Sequence, residues 1–266
     1  MSTRGVEAEK ALKSYSPRIF SLFVRYLGRY FAKNFTAVRV LNPGLPTIEA
    51  HRPVIFYGNH VGWWDPILYL LLIARLTPHH RGFGPIDENA LKKYGFLRRV
   101  GLFPVAQDTA RGAVQFLATS RRILQERNTS LWMTPQGEFS DPRARPIIFK
   151  AGIAHLAREV PGLVFVPVAV EYTFWTERRP ECLVAFGAPF EAPGEQNRSV
   201  DEWRKVLEEN LEERMNDLTA AAIHRDSTEF DELVRGSTGI SYPYDAWRWL
   251  KALAKGEQFS SAHRSK

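Results

Sequence analysis

The stretch Pro53-Val54-Ile55-Phe56-Tyr57-Gly58-Asn59-His60-Val61-Gly62-Trp63-Trp64-Asp65-Pro66 governs how the rest of the chain is read. Its first half is a continuous apolar run, as found in a strand buried on both faces. Its second half holds a His and an Asp five positions apart. Imidazole takes a proton near neutral pH. A carboxylate beside it fixes its tautomer and stabilises the imidazolium that forms. His60 and Asp65 are therefore a candidate general base and its orienting acid, enough to activate a weak hydroxyl nucleophile. There is a plainer alternative for each. Asp65-Pro66 also reads as a helix start, with Asp favoured at the N-cap and Pro at the first helical position. His60 alone could be a satisfied structural histidine.

Outward from this stretch, apolar runs and amphipathic segments alternate. Strands are expected at 38–41, 54–57, 83–86, 102–105, 131–134, 164–172 and 182–186. Helices are expected at 66–76, 88–94, 109–126, 149–159 and 201–224. Such alternation predicts an α/β fold, a single layered domain with a largely parallel sheet flanked by helices. In such sheets ligands bind beyond the carboxyl ends of the strands, which is where His60 falls. Pro167, inside an otherwise apolar run, is unusual for a central strand.

Composition narrows the partners. The chain has 266 residues, 44% hydrophobic and 24% charged, which is globular rather than disordered. The one cysteine, Cys182, allows no intramolecular disulfide and fits a reducing compartment. No apolar run reaches the roughly 18 residues a membrane span needs. Arg18, Arg25 and Arg29 interrupt the N-terminal apolar residues, so a cleaved signal peptide is not expected. The net charge is +7, of which residues 1–36 carry +5. A basic surface suits nucleic acid, anionic lipid or a polyphosphate co-substrate.

The location of that charge favours lipid. Residues 16–33 read as an amphipathic helix with Arg18, Arg25, Arg29 and Lys33 along one stripe. Ile19, Phe20, Phe23, Leu27, Tyr30 and Phe31 lie opposite. This suits a helix lying on anionic lipid; the alternative is a surface helix packed on its own domain. Near the other end, Tyr242, Tyr244, Trp247 and Trp249 stand among Arg248, Lys251 and Lys255, residue types that favour a membrane–water interface. The expected organisation is a membrane-contacting helix over 1–36, a catalytic domain over 37–226 and an aromatic, basic extension over 227–266.

Two further segments carry chemistry. Trp132-Met133-Thr134-Pro135-Gln136-Gly137-Glu138 ends a strand in a turn, and Gly137 permits close backbone approach to a ligand. A backbone N–H there is a candidate oxyanion donor. Arg143, Arg145 and Phe149-Lys150-Ala151-Gly152 follow, the last opening a helix, a natural place for an anion. No metal-ligand spacing appears; His79 and His80 are adjacent and lack a partner.

The order and content of these segments resemble the glycerolipid acyltransferase family, the 1-acylglycerol-3-phosphate acyltransferases and their relatives. Asn59-His60 through Asp65 looks like the family's first motif, His-x-x-x-x-Asp, and Gly101-Leu102-Phe103-Pro104-Val105 like its second. Thr134 to Glu138, continuing to Phe149-Lys150-Ala151-Gly152, resembles the third, and Val166-Pro167-Val168 the fourth. The resemblance implies transfer of a fatty acyl group from acyl-CoA or acyl carrier protein to a lysophospholipid hydroxyl. It makes His60 the general base and Asp65 its orienting acid, with no metal and no cofactor beyond the thioester co-substrate. Its substrate-binding candidates are Asn59, Gln107, Arg111, Gln136, Gly137, Glu138, Lys150 and Gly152. A peripheral protein on the cytoplasmic face of a membrane is the expected location, without nucleic-acid binding.

The chain departs from the family pattern at two places. Gln107 stands where the second motif usually carries Arg. Pro135-Gln136-Gly137-Glu138-Phe139 stands for the usual Pro-Glu-Gly-Thr-Arg. Both arginines commonly assigned to the acceptor phosphate are absent, and Gln cannot reproduce a bidentate guanidinium. Arg111, Arg143, Arg145 and Lys150 are the nearby candidates to compensate. The alternative acceptor is an unphosphorylated lipid alcohol such as a carotenoid glycoside. A non-catalytic lipid- or thioester-binding protein is the competing class.

Overall fold

The computed structural model describes residues 3–49, 51–192 and 198–236. Its strands are β1 (Ala37–Leu41), β2 (Val54–Gly58), β3 (Arg81–Asp87), β4 (Leu102–Val105), β5 (Thr129–Met133), β6 (Val164–Thr173), β7 (Glu181–Phe186), β8 (Phe190–Glu191) and β9 (Phe230–Arg235). Its helices are α1 (Thr3–Ser14), α2 (Pro17–Asn34), α3 (Asp65–Leu76), α4 (Glu88–Lys93), α5 (Ala110–Leu124), α6 (Gly152–Glu159) and α7 (Val200–His224). The strands form one sheet in the order β4-β3-β5-β2-β6-β7-β1-β9, with β8 beside β6.

The expected α/β fold with a largely parallel sheet is present. β2 runs parallel to β5 and to β6, β3 to β4 and to β5, and β1 to β7. Antiparallel pairing is confined to β6 with β7 and β8, and to β1 with β9. β2 shows why the apolar runs are continuous. Ile55 and Tyr57 pack into a layer with α5, α6 and α7. Val54 and Phe56 pack into the opposite layer with α2 and α3. Successive side chains point to opposite faces, so a strand covered on both faces has no polar position.

Pro167 is tolerated for a local reason. On one side of β6, β8 pairs with residues 164 and 165, and β7 pairs from Val168 onward. Pro167 lies at the seam between them, so its missing N–H removes no ladder bond. Its carbonyl still accepts from the Gly187 N–H at 2.9 Å.

All seven expected strands and all five expected helices of the α/β region form, with shifted ends. The helix expected over 149–159 starts only at Gly152. Before it, the Phe149 N–H donates to Glu208 and the Lys150 N–H to the Pro135 carbonyl, which holds that segment out of helix. Sequence reading did not anticipate α1, whose buried residues Ala8 and Ala11 are too small to make a hydrophobic stripe. It also did not anticipate β9, which adds residues 230–235 to the sheet beyond the expected domain end at 226. The aromatic and basic residues at 242–255 lie outside the described residues.

α2 covers the expected segment, and Ser16 caps it by accepting from the Ile19 N–H. Phe20, Val24, Leu27 and Phe31 are buried against the domain itself. The apolar face expected on lipid is thus largely occupied by protein. Arg18, Arg25, Arg29 and Lys33 are exposed. Beside them, Leu22 and Tyr26 are 65% and 57% exposed. Among the described residues, no helix is long and apolar enough to cross a membrane.

Candidate active site

β2 and β5 end side by side. His60 follows β2 by two residues, and the 134–138 turn follows β5 directly. The two loops are tied together. The His60 N–H donates to Oε1 of Gln136 at 2.8 Å, and the Ser140 N–H donates to the His60 carbonyl at 2.8 Å. This fixes the backbone that carries the imidazole.

The ring is fixed as well. Nδ1 of His60 lies 2.7 Å from Oδ2 of Asp65, which is fully buried. The same oxygen accepts from the Gly62 N–H at 2.9 Å, and Oδ1 accepts from the Tyr172 hydroxyl at 2.7 Å. Three donors therefore converge on one carboxylate, compensating the loss of hydration on burial. Burial, followed by nearby Cys182 and Asp65, pushes the Tyr172 hydroxyl well above the ordinary phenol range, so it remains a donor at neutral pH. With Asp65 accepting at Nδ1, the network assigns the proton to Nδ1 and leaves the Nε2 lone pair bare. An arrangement of this kind can take a proton from a hydroxyl and return it to a leaving group.

Asp65 is not the N-cap expected from sequence. It is the first residue of α3 and lies in its first turn. Its carboxylate points back to Gly62 and His60 rather than forward to the helix N–H groups. The N-cap position is held by Trp64, which makes no side-chain cap bond.

The other expected residues separate into three groups. Gln107, Gly137, Lys150 and Gly152 line a cavity that His60 also lines. Asn59 and Gln136 are buried and contact backbone. The Asn59 amide donates to the Val170 carbonyl at 2.9 Å and accepts from the Val170 N–H at 2.8 Å, which ties the side chain to β6. Gln136 holds the His60 backbone, as above. Glu138 and Arg111 are exposed and do not line the cavity.

The Gly137 N–H, a candidate oxyanion donor in the sequence, is engaged within its own turn. It donates to the Thr134 carbonyl at 3.1 Å, closing the turn. The glycine also suits the turn's backbone. Its φ is 72°, and a Cβ there would lie 2.7 Å from Cε of Lys150. Lys150 crosses the turn to donate to Asp108 at 2.8 Å.

The cavity is about 900 Å³. Leu27, Ile67, Leu70 and Ile73 form one wall from α2 and α3; Phe83, Leu102 and Trp132 form another from the sheet. A space of this size and character suits a long apolar group with its polar end at His60. Among the described residues, no three His, Cys, Asp or Glu side chains gather as a metal site requires.

Tyr172, Trp63 and Phe139 were missed as site residues. Tyr172 meets Asp65 across 107 positions, and no local pattern announces it. Phe139 had a signal: it occupies a position where the resembling family places Arg. Its ring meets the His60 ring edge-on at 4.5 Å.

No curated protein matches this chain. A family model described as Acyltransferase matches residues 39–171, half of the chain. The match runs from β1 into β6, so it contains His60, Asp65, the 134–138 turn, Lys150 and Pro167. The chain accordingly belongs to the acyltransferase family, of the glycerolipid type, and is an acyltransferase.

Proposed function

We propose that the protein transfers a fatty acyl group from acyl-CoA or acyl carrier protein to the hydroxyl of a lipid at a membrane surface, with His60 as general base. The observation that carries this is the Asp65–His60 contact of 2.7 Å at a cavity lined largely by apolar side chains. Nε2 takes the proton of the acceptor hydroxyl as its oxygen attacks the thioester carbonyl carbon. The tetrahedral oxyanion collapses, the C–S bond breaks, and the imidazolium returns its proton to the departing sulfur, which leaves as the free thiol. Positioned general-base catalysis contributes roughly 10²–10⁴-fold. The thioester's acyl chain occupies the apolar part of the cavity.

Contact with anionic lipid falls to the solvent-facing side of α2, where four basic residues stand beside Leu22 and Tyr26. The negative surface potential of a cytoplasmic leaflet attracts such a stripe, and we place the protein there as a peripheral component. Incubation of the purified protein with labelled acyl-CoA and a total membrane lipid extract tests the reading. A labelled ester that requires His60 is expected. Equal thioester consumption by wild type and His60→Ala would overturn the assignment of the base.

A further inference from the structure

The acceptor's head group must reach Nε2 of His60, and the charge around that position is unlike a phosphate site. Among the described residues lining the cavity, the formally charged side chains are Asp87, Asp108 and Lys150. Asp87 accepts from the Asn89 and Ala90 N–H groups as the cap of α4. Lys150 is already paired with Asp108. In the adjoining loop, Arg143 grips Asp141 through two nitrogens at 2.9 and 2.8 Å. Arg145 is held by the carbonyls of Pro142 and Ala144 and by Asn216. A phosphate monoester is close to a dianion at neutral pH and is bound by unpaired, forked donors. Here two carboxylates face one ammonium, and no forked donor lines the cavity.

What the position offers instead is aromatic surface. Phe139 packs edge-on against His60 yet remains 63% exposed, so it presents a ring face beside the base. Trp63, three residues after His60 and also 63% exposed, lines the same cavity. The face of an aromatic ring is electron-rich, and the C–H bonds on one face of a sugar ring are weakly positive. Gln107 and Thr134 add neutral partners for hydroxyl groups.

We propose that the acceptor is a glycosylated lipid alcohol whose uncharged sugar ring stacks on Phe139 and Trp63 and is acylated on one of its own hydroxyls. This rests on His60 acting as the base of an acyl transfer. The sugar O–H gives its proton to Nε2, a C–O ester bond forms, the thioester C–S bond breaks, and the thiol leaves protonated.

The test compares two acceptors with labelled palmitoyl-CoA and the full chain: octyl β-glucoside below its micellar concentration, and 1-oleoylglycerol 3-phosphate. The glucoside is expected to be acylated with the higher kcat/KM. Phe139→Ala is expected to raise its KM roughly threefold to tenfold, the scale of one aromatic contact. Phe139→Trp should restore it, and Phe139→Arg should move preference toward the phosphate acceptor. Preferential acylation of the phosphate acceptor by wild type overturns the sugar assignment while leaving acyl transfer intact. An equal loss toward both acceptors in Phe139→Ala also overturns it. If no ester forms with either acceptor or with a membrane lipid extract, the acyl-transfer reading fails, and this one falls with it.

Discussion

The Tyr172 hydroxyl donates to Oδ1 of Asp65 at 2.7 Å, while Nδ1 of His60 lies 2.7 Å from Oδ2 of the same carboxylate. The carboxylate is thus held from both ends, and the imidazole inherits its orientation. Tyr172→Phe removes one of the two side-chain contacts and leaves the other. We expect kcat to fall by roughly threefold to tenfold, because Tyr172 acts on the base only through Asp65 and passes on part of the ~1.5–3 kcal/mol of a hydrogen bond to a charged group, with little change in KM. Asp65→Asn removes the charge that stabilises the imidazolium and should cost roughly 10²–10⁴-fold in kcat. Steady-state kinetics separate the two; equal losses would show that Tyr172 does more than position Asp65.

Asn59 sits beside the base but serves the sheet. Asn59→Ala leaves both backbone groups of Val170 without their partners in a buried place. A loss of about 2–4 kcal/mol in urea denaturation is expected. A variant as stable as wild type, with only its KM altered, would return Asn59 to the substrate-binding residues.

Glu171 supplies a pH-dependent term. Burial raises its carboxyl above the ordinary glutamate range, against the lowering effects of the Thr219 hydroxyl and of Arg143 and Arg145. A raised folded value means that the folded chain holds this proton more tightly than the unfolded chain. The associated stability is present below the ordinary glutamate pKa and is lost as pH rises through the raised one. Glu171→Gln removes the titration and can still accept from Thr219. The melting temperature of Glu171→Gln should therefore gain on wild type between pH 4.5 and pH 7. A difference that does not change with pH contradicts the shift.

The exposed side of α2 predicts the lipid contact. Arg25→Glu with Arg29→Glu should weaken flotation on anionic vesicles, each cation being worth about 1 kcal/mol near such a surface. Leu22→Ser with Tyr26→Ser should weaken it at high salt as well, because burial of apolar area is not screened. Flotation unchanged in both double variants would leave α2 a structural helix only.

The glycine at 137 is a geometric requirement. Gly137→Ala places a methyl group against the Lys150 side chain at a positive φ. The turn that carries Gln136, and through it the His60 N–H, should shift. Activity should fall more than stability does; full activity in this variant would show that the Gln136 contact does not set the imidazole position.

The sequence by itself determined the order of strands and helices, because burial on both faces of β2, β5 and β6 requires unbroken apolar runs. It also determined the His60–Asp65 pair, whose five-residue spacing spans one turn from strand to helix. Tertiary structure decided everything that depends on distant chain segments meeting. It set Asn59 and Gln136 against backbone, Asn59 on both polar groups of Val170 and Gln136 on the His60 N–H. It used up the Gly137 N–H inside its own turn. It covered most of the apolar face of α2 with the protein's own core, leaving a mixed basic and aromatic edge to solvent. It brought Tyr172 to Asp65 and Phe139 to His60. Local periodicity reports which face of an element is buried; it does not report which partner buries it, and these outcomes all turn on the partner.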